Sequence, residues 1–334
     1  MPVVELDARL LAAGPAAVRA GLTDRLGEPT LVVLDDPGPV DPAAVLALRE
    51  LPAVVAAHGR LDPLLTPELD LVLDDAAHLE RVAAGFARAP VAAVAAALLL
   101  RTGGDDWWAG LVRESATYSM LQGSAEFRRW REGHAAAPPG PDPEPRVRVA
   151  VHGRVTELTL SRPTRHNALD RRMRDELHAA LDDAAGPVVL LGEGPSFCSG
   201  GDLDEFGTLP DPAVAHLVRL TRSVAALIAA ARDRVVVGLH GMCLGAGIEL
   251  PAFARHVIAA DDARLGLPEL GLGLIPGAGG TVSVPARVGR HRALALLLTD
   301  GTIPSPVALE WGLVDEVVAR EHLRSRCLEV AAAL

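Results

Sequence analysis

Hydrophobic and polar positions predict alternating strands and helices in the second half of the chain. Residues 146–160 alternate between apolar and polar, which is typical of a β-hairpin. The short apolar runs at 187–191 and 235–239 predict buried strands, whereas residues 168–185 and 212–231 carry apolar side chains at helical spacing. Buried strands that alternate with helices favour an α/β fold with crossover connections.

The first half of the chain is predicted to be mainly helical. Residues 30–34 predict a short strand, residues 42–57 a helix, and residues 75–131 two or three helices. A proline-rich stretch at 135–146 opposes helix formation and favours an extended spacer. We therefore predict a mainly helical packing or oligomerisation region at 1–134, a linker at 135–146 and a separate core at 147–334.

Composition removes several classes of function. All 32 basic residues among the 334 are arginine, so Schiff-base lysine chemistry and lysine-containing phosphate loops are excluded. A net charge of −11 argues against nucleic acid as a partner. The three cysteines are too few and too scattered for a disulfide framework or a zinc site, which favours a reducing cytoplasm.

No membrane span or targeting segment is expected from the sequence. The longest apolar run, at 91–100, is half the length of about 20 residues that crosses a bilayer. The first ten residues lack the basic and then apolar pattern of a signal peptide.

Two glycine-rich junctions, at 194–206 and 241–250, each follow a predicted buried strand. Glycine allows a backbone to approach a ligand closely, and a helix that begins there directs unpaired N–H groups outward. Two such junctions side by side can direct two donors at one oxyanion, each typically worth about 3 kcal/mol of transition-state stabilisation. The alternative is that these glycines only permit tight turns.

Two glutamates near the second junction are candidates for proton transfer. Glu249 and Glu269 both lie in strongly apolar stretches, where a carboxylate is costly without a partner or a function. Two carboxyl groups that converge on one small molecule can divide the general acid and general base roles. The alternative for Glu249 is a surface residue that stabilises a helix dipole.

A thiol nucleophile is a competing hypothesis. Residues 241–245 fit G-x-C-x-G between a strand and a helix, which is the arrangement of a nucleophile elbow with Cys243 as the nucleophile. Asp261 or Asp262 and His291 or His322 would then complete a hydrolase triad.

The stretch from residue 149 to about 318 resembles the crotonase, or enoyl-CoA hydratase/isomerase, superfamily. Five segments carry the resemblance, in family order and at family spacing: 160–169, 197–206, 240–250, 260–280 and 308–317. The resemblance implies a ββα superhelical core at 147–334 that binds an acyl-CoA thioester and stabilises its enolate. It implies no cofactor beyond the CoA thioester that is the substrate.

The resemblance also implies roles for particular residues. The backbone N–H groups of Gly201 and Ala246 would form the oxyanion hole, and Glu249 and Glu269 would hold one water and exchange its proton with the substrate α-carbon. The CoA moiety would be held by a set of residues from two segments, with Arg162 or Arg165 meeting its phosphates: Arg162, Arg165, His166, Asn167, Ala168, Asp202 and Leu203.

The order of segments departs from the family. Typical members carry C-terminal helices that mediate trimer formation, and residues 76–132 are similar to that segment although they lie in front of the core. We infer a circular rearrangement in which the N-terminal half supplies these helices, giving a homotrimer or hexamer.

The extension also resembles the cofactor-free dioxygenase branch that acts on dihydroxyphenylacetyl-CoA in secondary metabolism, which has Gln where Glu249 stands. Because Glu at position 249 favours proton transfer over oxygen chemistry, we predict an enoyl-CoA hydratase-like lyase. The alternatives are an arylacetyl-CoA dioxygenase, an isomerase, a thioester hydrolase and an inactive CoA-binding subunit.

Overall fold

The computed structural model describes residues 3–5, 14–20, 27–38, 40–136, 144–209, 211–299 and 301–334. Its first part is built on a four-stranded parallel sheet with the order β1-β2-β3-β4. The strands are β1 (Val3–Glu5), β2 (Leu31–Asp35), β3 (Val54–His58) and β4 (Leu71–Val72). The short helix α1 (Pro15–Ala20) and α2 (Pro42–Arg49) pack on one face of this sheet through apolar side chains such as Val18 and Leu48.

The prediction of a strand near 30–34 is confirmed by β2, but the predicted helix at 42–57 is wrong in its second half. The helix ends at Arg49, shortly before Pro52, and the apolar run that follows forms β3. Proline disfavours helix in the residue before it. A continuous apolar run buried in a parallel sheet has the same hydrophobic pattern as a buried helix.

Residues 75–131 form four helices rather than the two or three predicted. They are α3 (Ala76–Arg88), α4 (Pro90–Arg101), α5 (Trp107–Gln122) and α6 (Ala125–Gly133). Asp75, Asp106 and Ser124 cap the N-termini of α3, α5 and α6 by accepting backbone N–H groups. Residues 137–143 of the predicted linker lie outside the described residues, and the three-part domain division stays a prediction.

The second part of the chain contains a six-stranded sheet with the order β13-β10-β8-β7-β6-β5 and a three-stranded sheet with the order β12-β11-β9. The predicted hairpin and both buried strands are confirmed as β5 with β6, β7 and β8. The strands are β5 (Val147–His152), β6 (Val155–Leu160), β7 (Val188–Gly192), β8 (Val235–Leu239), β9 (Met242–Leu244), β10 (His256–Ala260), β11 (Arg264–Gly266), β12 (Ile303–Pro304) and β13 (Glu316–Val318). Only β5 is antiparallel within the larger sheet.

Within residues 144–209, 211–299 and 301–334, eight helices connect these strands and cover them. They are α7 (Arg171–Asp183), α8 (Pro212–Thr221), α9 (Val224–Ala230), α10 (Ala246–Glu249), α11 (Gly280–Val288), α12 (Arg290–Leu298), α13 (Ser305–Trp311) and α14 (Leu323–Ala333). Apolar residues of α14, such as Leu323 and Cys327, pack on one face of the larger sheet.

The predicted helix at 212–231 is divided in two. Arg222 leaves the helical conformation at the end of α8, and the Ser223 hydroxyl accepts the Ala226 N–H to begin α9. By length and composition alone, residues 212–230 could cross a membrane, and α3 with α4, bent by 110°, passes the same test as a pair. In this fold α8 packs against α5, and Arg219 donates to Ser115 on that helix.

One apolar core joins the two parts of the chain. It runs from the inner face of the first sheet, through α3, α4 and α5, to α12 and the larger sheet. Phe86 of α3 and Leu297 of α12, for example, are both buried in this core. The helices that precede the proline-rich stretch in sequence are therefore packed directly on the elements that follow it.

Candidate active site

A cavity of about 240 Å³ lies where the two glycine-rich junctions meet the N-terminal helices. Its walls come from Gly201 and the loop after it, from the junction around Gly245, from α8, and from α5. Gly201, Ala246, Glu249 and Glu269, which the sequence assigns to catalysis, all line it.

The two predicted oxyanion donors are both available. Gly201 and Ala246 line the cavity, and neither N–H donates a hydrogen bond to another described residue. Ala246 opens α10, where the first N–H groups have no acceptor within the helix. Two unpaired amides at one cavity wall can stabilise negative charge on a ligand oxygen.

Glycine is required at position 245 for two reasons. Its φ of +51° lies in the region that side chains disfavour, and a Cβ atom there would lie 2.5 Å from Glu269 Oε1. The same Cβ would lie 3.7 Å from Glu249 Oε1. The Oε1 atoms of both glutamates therefore approach the same stretch of backbone, next to the Ala246 amide.

Glu249 is held by the turn that precedes α11. Its Oε2 atom accepts the N–H groups of Ala278, at 2.7 Å, and Gly280, at 2.9 Å. The side chain is buried, and burial together with the charges of Glu269 and Glu114 raises its pKa well above the usual value. Because Oε2 is held by the two amides, Oε1 is the atom that remains to exchange protons.

Glu269 lies at the start of a 3₁₀ turn and has an unsatisfied oxygen. Its Oε2 atom is buried and has no hydrogen-bond partner among the described residues. Burial raises its pKa to about 8, with a further contribution from the charge of Glu114. A buried carboxyl oxygen without a protein partner is typical of a functional group and costs stability unless it is protonated or bonded to a ligand.

Glu114, on α5, is a third buried carboxylate that the sequence analysis missed. Its Oε1 accepts the Gly279 N–H at 2.7 Å, and its Oε2 accepts the Thr281 N–H at 2.8 Å and the Thr281 hydroxyl at 2.7 Å. Four consecutive amides, at 278–281, therefore alternate between Glu249 and Glu114. Burial raises the Glu114 pKa to about 7.

No local signal in the sequence identifies Glu114. It stands between Arg113 and Ser115, so it has the neighbours of an exposed helix residue. Its burial depends on the turn at 279–281, more than 160 positions later in the chain.

The N-terminal half of the chain contributes to the cavity through α5. Tyr118 and Gln122 of α5 line the cavity, and Tyr118 contacts the ring of Phe206 edge-on with centroids 6.5 Å apart. Glu126 does not line the cavity. It accepts the N–H groups of Val91 and Ala92 instead, and so caps α4.

Part of the predicted CoA-binding set supports the backbone. Asn167 is buried with a φ of +53°. Its Oδ1 accepts the Arg162 N–H, and its Nδ2 donates to the carbonyl groups of residues 193, 196 and 197. Arg162 is buried too, and it donates to the Ala168 carbonyl and to Asp202 at 2.6 Å. The structure thus disfavours Arg162 as the phosphate ligand.

The other members of that set are more accessible. Arg165 lies 3.6 Å from Asp204, with about a quarter of its side chain exposed. The His166 ring contacts the Ser196 hydroxyl at 3.0 Å, and Leu203 is an exposed apolar residue that lines the cavity together with Asp202. Of the two arginines named for the phosphates, Arg165 is the one the structure leaves in reach of solvent.

The structure disfavours the hypothesis of a thiol nucleophile. Cys243 is fully buried in β9, and its Sγ lies within hydrogen-bond distance of the backbone carbonyls of His240 and Gly241. Burial raises the pKa of this thiol, so the reactive thiolate is disfavoured. His291 is bonded to the Leu69 carbonyl on the N-terminal sheet instead.

Comparison with known proteins places this chain in a family. The family model described as Enoyl-CoA hydratase/isomerase matches residues 151–334. The Bacillus subtilis (strain 168) protein YngF, assigned as an enoyl-CoA hydratase/isomerase, is 37% identical over 183 residues, which are 53% of this chain and 70% of that protein.

Solved structures agree with this result. An enoyl-CoA hydratase from Bacillus anthracis matches with a TM-score of 0.52 and 32% identity, over 56% of this chain and 76% of that one. A protein from Thermobifida fusca YX, assigned as an enoyl-CoA hydratase and solved in complex with CoA, matches with a TM-score of 0.51 and 33% identity, over 56% and 77%. The chain therefore belongs to the enoyl-CoA hydratase/isomerase family and has the crotonase fold that its sequence predicts.

Proposed function

We propose that this enzyme adds water across the α,β-double bond of an enoyl-CoA thioester. The observation that carries the proposal is the arrangement of Glu249 and Glu269, whose Oε1 atoms both approach Gly245 beside the free amides of Gly201 and Ala246. The solved relative from Thermobifida fusca contains CoA, which supports a CoA thioester as the ligand.

In the proposed reaction, the thioester oxygen accepts the N–H groups of Gly201 and Ala246. These bonds draw electrons from the conjugated double bond and stabilise the enolate that forms when water attacks the β-carbon. The water oxygen forms the new C–O bond, one of its protons passes to the carboxylate of the pair, and the protonated partner delivers a proton to the α-carbon. Atoms and charges balance without a cofactor.

The two glutamates have different environments, which supports different roles. Two amides donate to Glu249 Oε2, whereas Glu269 Oε2 has no donor among the described residues, so the two carboxyl groups are held in different ways. Two buried carboxyl groups this close share one proton near neutral pH. We assign Glu249 as the base toward water and Glu269 as the acid toward the α-carbon.

The test is incubation with crotonyl-CoA under air and under nitrogen, followed by mass spectrometry of the thioester. Gain of one water in both atmospheres is expected. A shifted double bond, uptake of dioxygen or loss of the thioester would replace hydration by isomerisation, oxygenation or hydrolysis. No change with any acyl-CoA would leave a CoA-binding subunit.

A further inference from the structure

Arg219 of α8 brings a positive charge to the wall of the same cavity. It is partly buried, and burial holds the pKa of its guanidinium below the usual value, although the group stays protonated. Its Cζ atom lies 4.7 Å from the centre of the Tyr118 ring, which also lines the cavity. The stacked ring fixes the position of the guanidinium and excludes water from one of its faces.

The hydrogen bonds of Arg219 use only part of its donor capacity. Its Nε donates to the Ser115 hydroxyl at 3.1 Å, and its Nη2 donates to the Ser115 carbonyl at 3.1 Å and to the Ser119 hydroxyl. An arginine has five N–H groups, two of them on Nη1. Among the described residues nothing accepts from Nη1.

No carboxylate neutralises this arginine. Among the described residues, none has a carboxylate oxygen within the 4.0 Å that defines an ion pair with Arg219. Glu114 is the acid that interacts with it at longer range, and both Glu114 oxygens are already bonded to Gly279 and Thr281. A partly buried charge without a counter-ion is costly, and an anionic ligand group would relieve that cost.

The other arginines that line the cavity are either paired with a carboxylate or exposed to solvent. Arg174 is paired with Asp175 at 2.8 Å, and Arg171 is exposed to solvent. The apolar wall around Arg219, formed by Ala215, Val218 and Tyr118, excludes water from a ligand more effectively than an exposed site does. A charge-assisted hydrogen bond is strongest in such surroundings.

We infer that Arg219 recognises a carboxylate at the far end of the acyl chain, so that the preferred substrates are monothioesters of unsaturated dicarboxylic acids. This inference rests on the proposed function for the identity of the reaction, but it concerns the part of the cavity that binds the acyl chain. Arg219 would act as a specificity-determining residue and take no part in proton transfer.

The kinetic test compares two thioesters of equal shape. One is the CoA monothioester of (E)-pent-2-enedioic acid, and the other is (E)-5-methylhex-2-enoyl-CoA, in which an isopropyl group replaces the carboxylate. The wild type should prefer the acid in kcat/KM by roughly 10- to 100-fold, the usual value of a hydrogen bond to a charged group. R219Q, which keeps amide donors but loses the charge, should lose that preference and retain the rate with the neutral thioester within a few fold.

Matched variants separate charge recognition from packing. R222Q removes an exposed arginine just beyond the end of α8 and should leave the preference unchanged. S119A removes one bond to Arg219 but leaves its charge, so the preference for the acid should persist. A preference that survives in R219Q, or a wild type that prefers the isopropyl compound, overturns the inference.

A binding measurement keeps the test independent of turnover and of how well R219Q folds. Calorimetry on the wild type compares the saturated analogues, pentanedioyl-CoA and 5-methylhexanoyl-CoA, at low and high salt. Tighter binding of the acid that weakens with salt supports the inference even if neither enoyl-CoA is hydrated, in which case only the proposed reaction fails. Equal or weaker binding of the acid overturns the inference even if hydration is observed.

Discussion

Three carboxyl groups, those of Glu114, Glu249 and Glu269, occupy one buried region of the molecule. Burial raises the pKa of each, and the charge of Glu114 raises the pKa of both Glu249 and Glu269 further. Ionising all three at once would be costly in such surroundings, so the region retains protons at neutral pH. The amides of residues 278–281 offset part of this cost and hold Glu249 and Glu114 in position.

The substitution Glu249→Gln should abolish most of the activity. Glutamine keeps the shape of the side chain but cannot accept a proton from water, and general base catalysis typically contributes at least about 100-fold. We expect kcat with crotonyl-CoA to fall by at least that factor, while the affinity for a saturated acyl-CoA changes little. Steady-state kinetics and calorimetry measure the two quantities, and an unchanged kcat would remove Glu249 from the mechanism.

Glu269 should make the protein less stable as the pH rises. Its pKa lies near 8 in the folded protein against 4.5 ordinarily, so between these values the folded state binds more protons than the unfolded state. The free energy of unfolding therefore decreases from pH 5 to pH 8. Glu269→Gln removes this dependence, so its stability relative to wild type should rise over that interval by a few kcal/mol, on the order of the shift itself. Urea unfolding at both pH values measures the difference, which a pH-independent result would contradict.

Glu114→Gln should change the pH dependence of catalysis as well as its rate. Glu114 is ionised above about pH 7, and its charge raises the pKa of both Glu249 and Glu269. Without that charge, the pKa values of Glu249 and Glu269 should fall, so the alkaline limb of the kcat profile should move to lower pH.

Glu126→Gln is the matched control for this prediction. Glu126 also accepts two backbone amides, those of Val91 and Ala92, but at the start of α4 and away from the cavity. It should lose some stability and keep the wild-type pH profile. A Glu114→Gln profile that superimposes on that of Glu126→Gln would show that Glu114 only supports the fold.

At the level of elements, the sequence correctly predicted the strands whose hydrophobic pattern is set by residues close together in the chain. The hairpin at 146–160 and strands β7 and β8 follow from alternation and short apolar runs, and they are confirmed. The strand β3 could not be distinguished from a helix, because a buried parallel strand carries no alternation.

The residues of the candidate site also fall into those that the sequence reveals and those that it does not. The glycine junctions and Glu249 stand out in the sequence because glycine and charge are unusual in apolar runs. Glu114 and Arg219 do not stand out, because a single charged residue on a predicted helix ordinarily lies on its exposed face. Their burial follows from the packing of α5 on α8 and on the turn before α11, which no short-range pattern encodes.

The contact between α3 and α12 depends on a glycine that permits close approach. A Cβ atom on Gly85 would lie 1.7 Å from the Leu298 carbonyl oxygen, so Gly85→Ala must displace one helix. We expect a loss of about 1–3 kcal/mol in the free energy of unfolding, as for other overpacked contacts. Gly133→Ala, at the end of α6 with nothing near its Cβ position, should be neutral or stabilising by up to about 1 kcal/mol. Chemical denaturation of both variants checks the difference, and equal effects would contradict the packing argument.

On the scale of the whole molecule, polar contacts as well as the shared apolar core hold the N-terminal sheet against the second part of the chain. Arg290 of α12 donates to Asp70 at 3.3 Å and to the Pro67 carbonyl, and His291 contacts the Leu69 carbonyl at 2.9 Å. The expected homotrimer or hexamer stays a prediction. Within one chain, these contacts predict that the two parts unfold together.

The ion pair between Asp70 and Arg101 provides the test of that cooperativity. Arg101 is almost completely buried and donates to both Asp70 oxygens and to the carbonyls of Arg49 and Leu51. Asp70→Asn leaves this guanidinium without its counter-ion, also removes the charge that Arg290 contacts, and should cost about 3–5 kcal/mol. If the parts are coupled, calorimetry of the variant shows one transition at a lower temperature, with loss of activity at that same temperature. If enzymatic activity survives a first transition and a second transition follows at the wild-type temperature, the N-terminal sheet unfolds on its own.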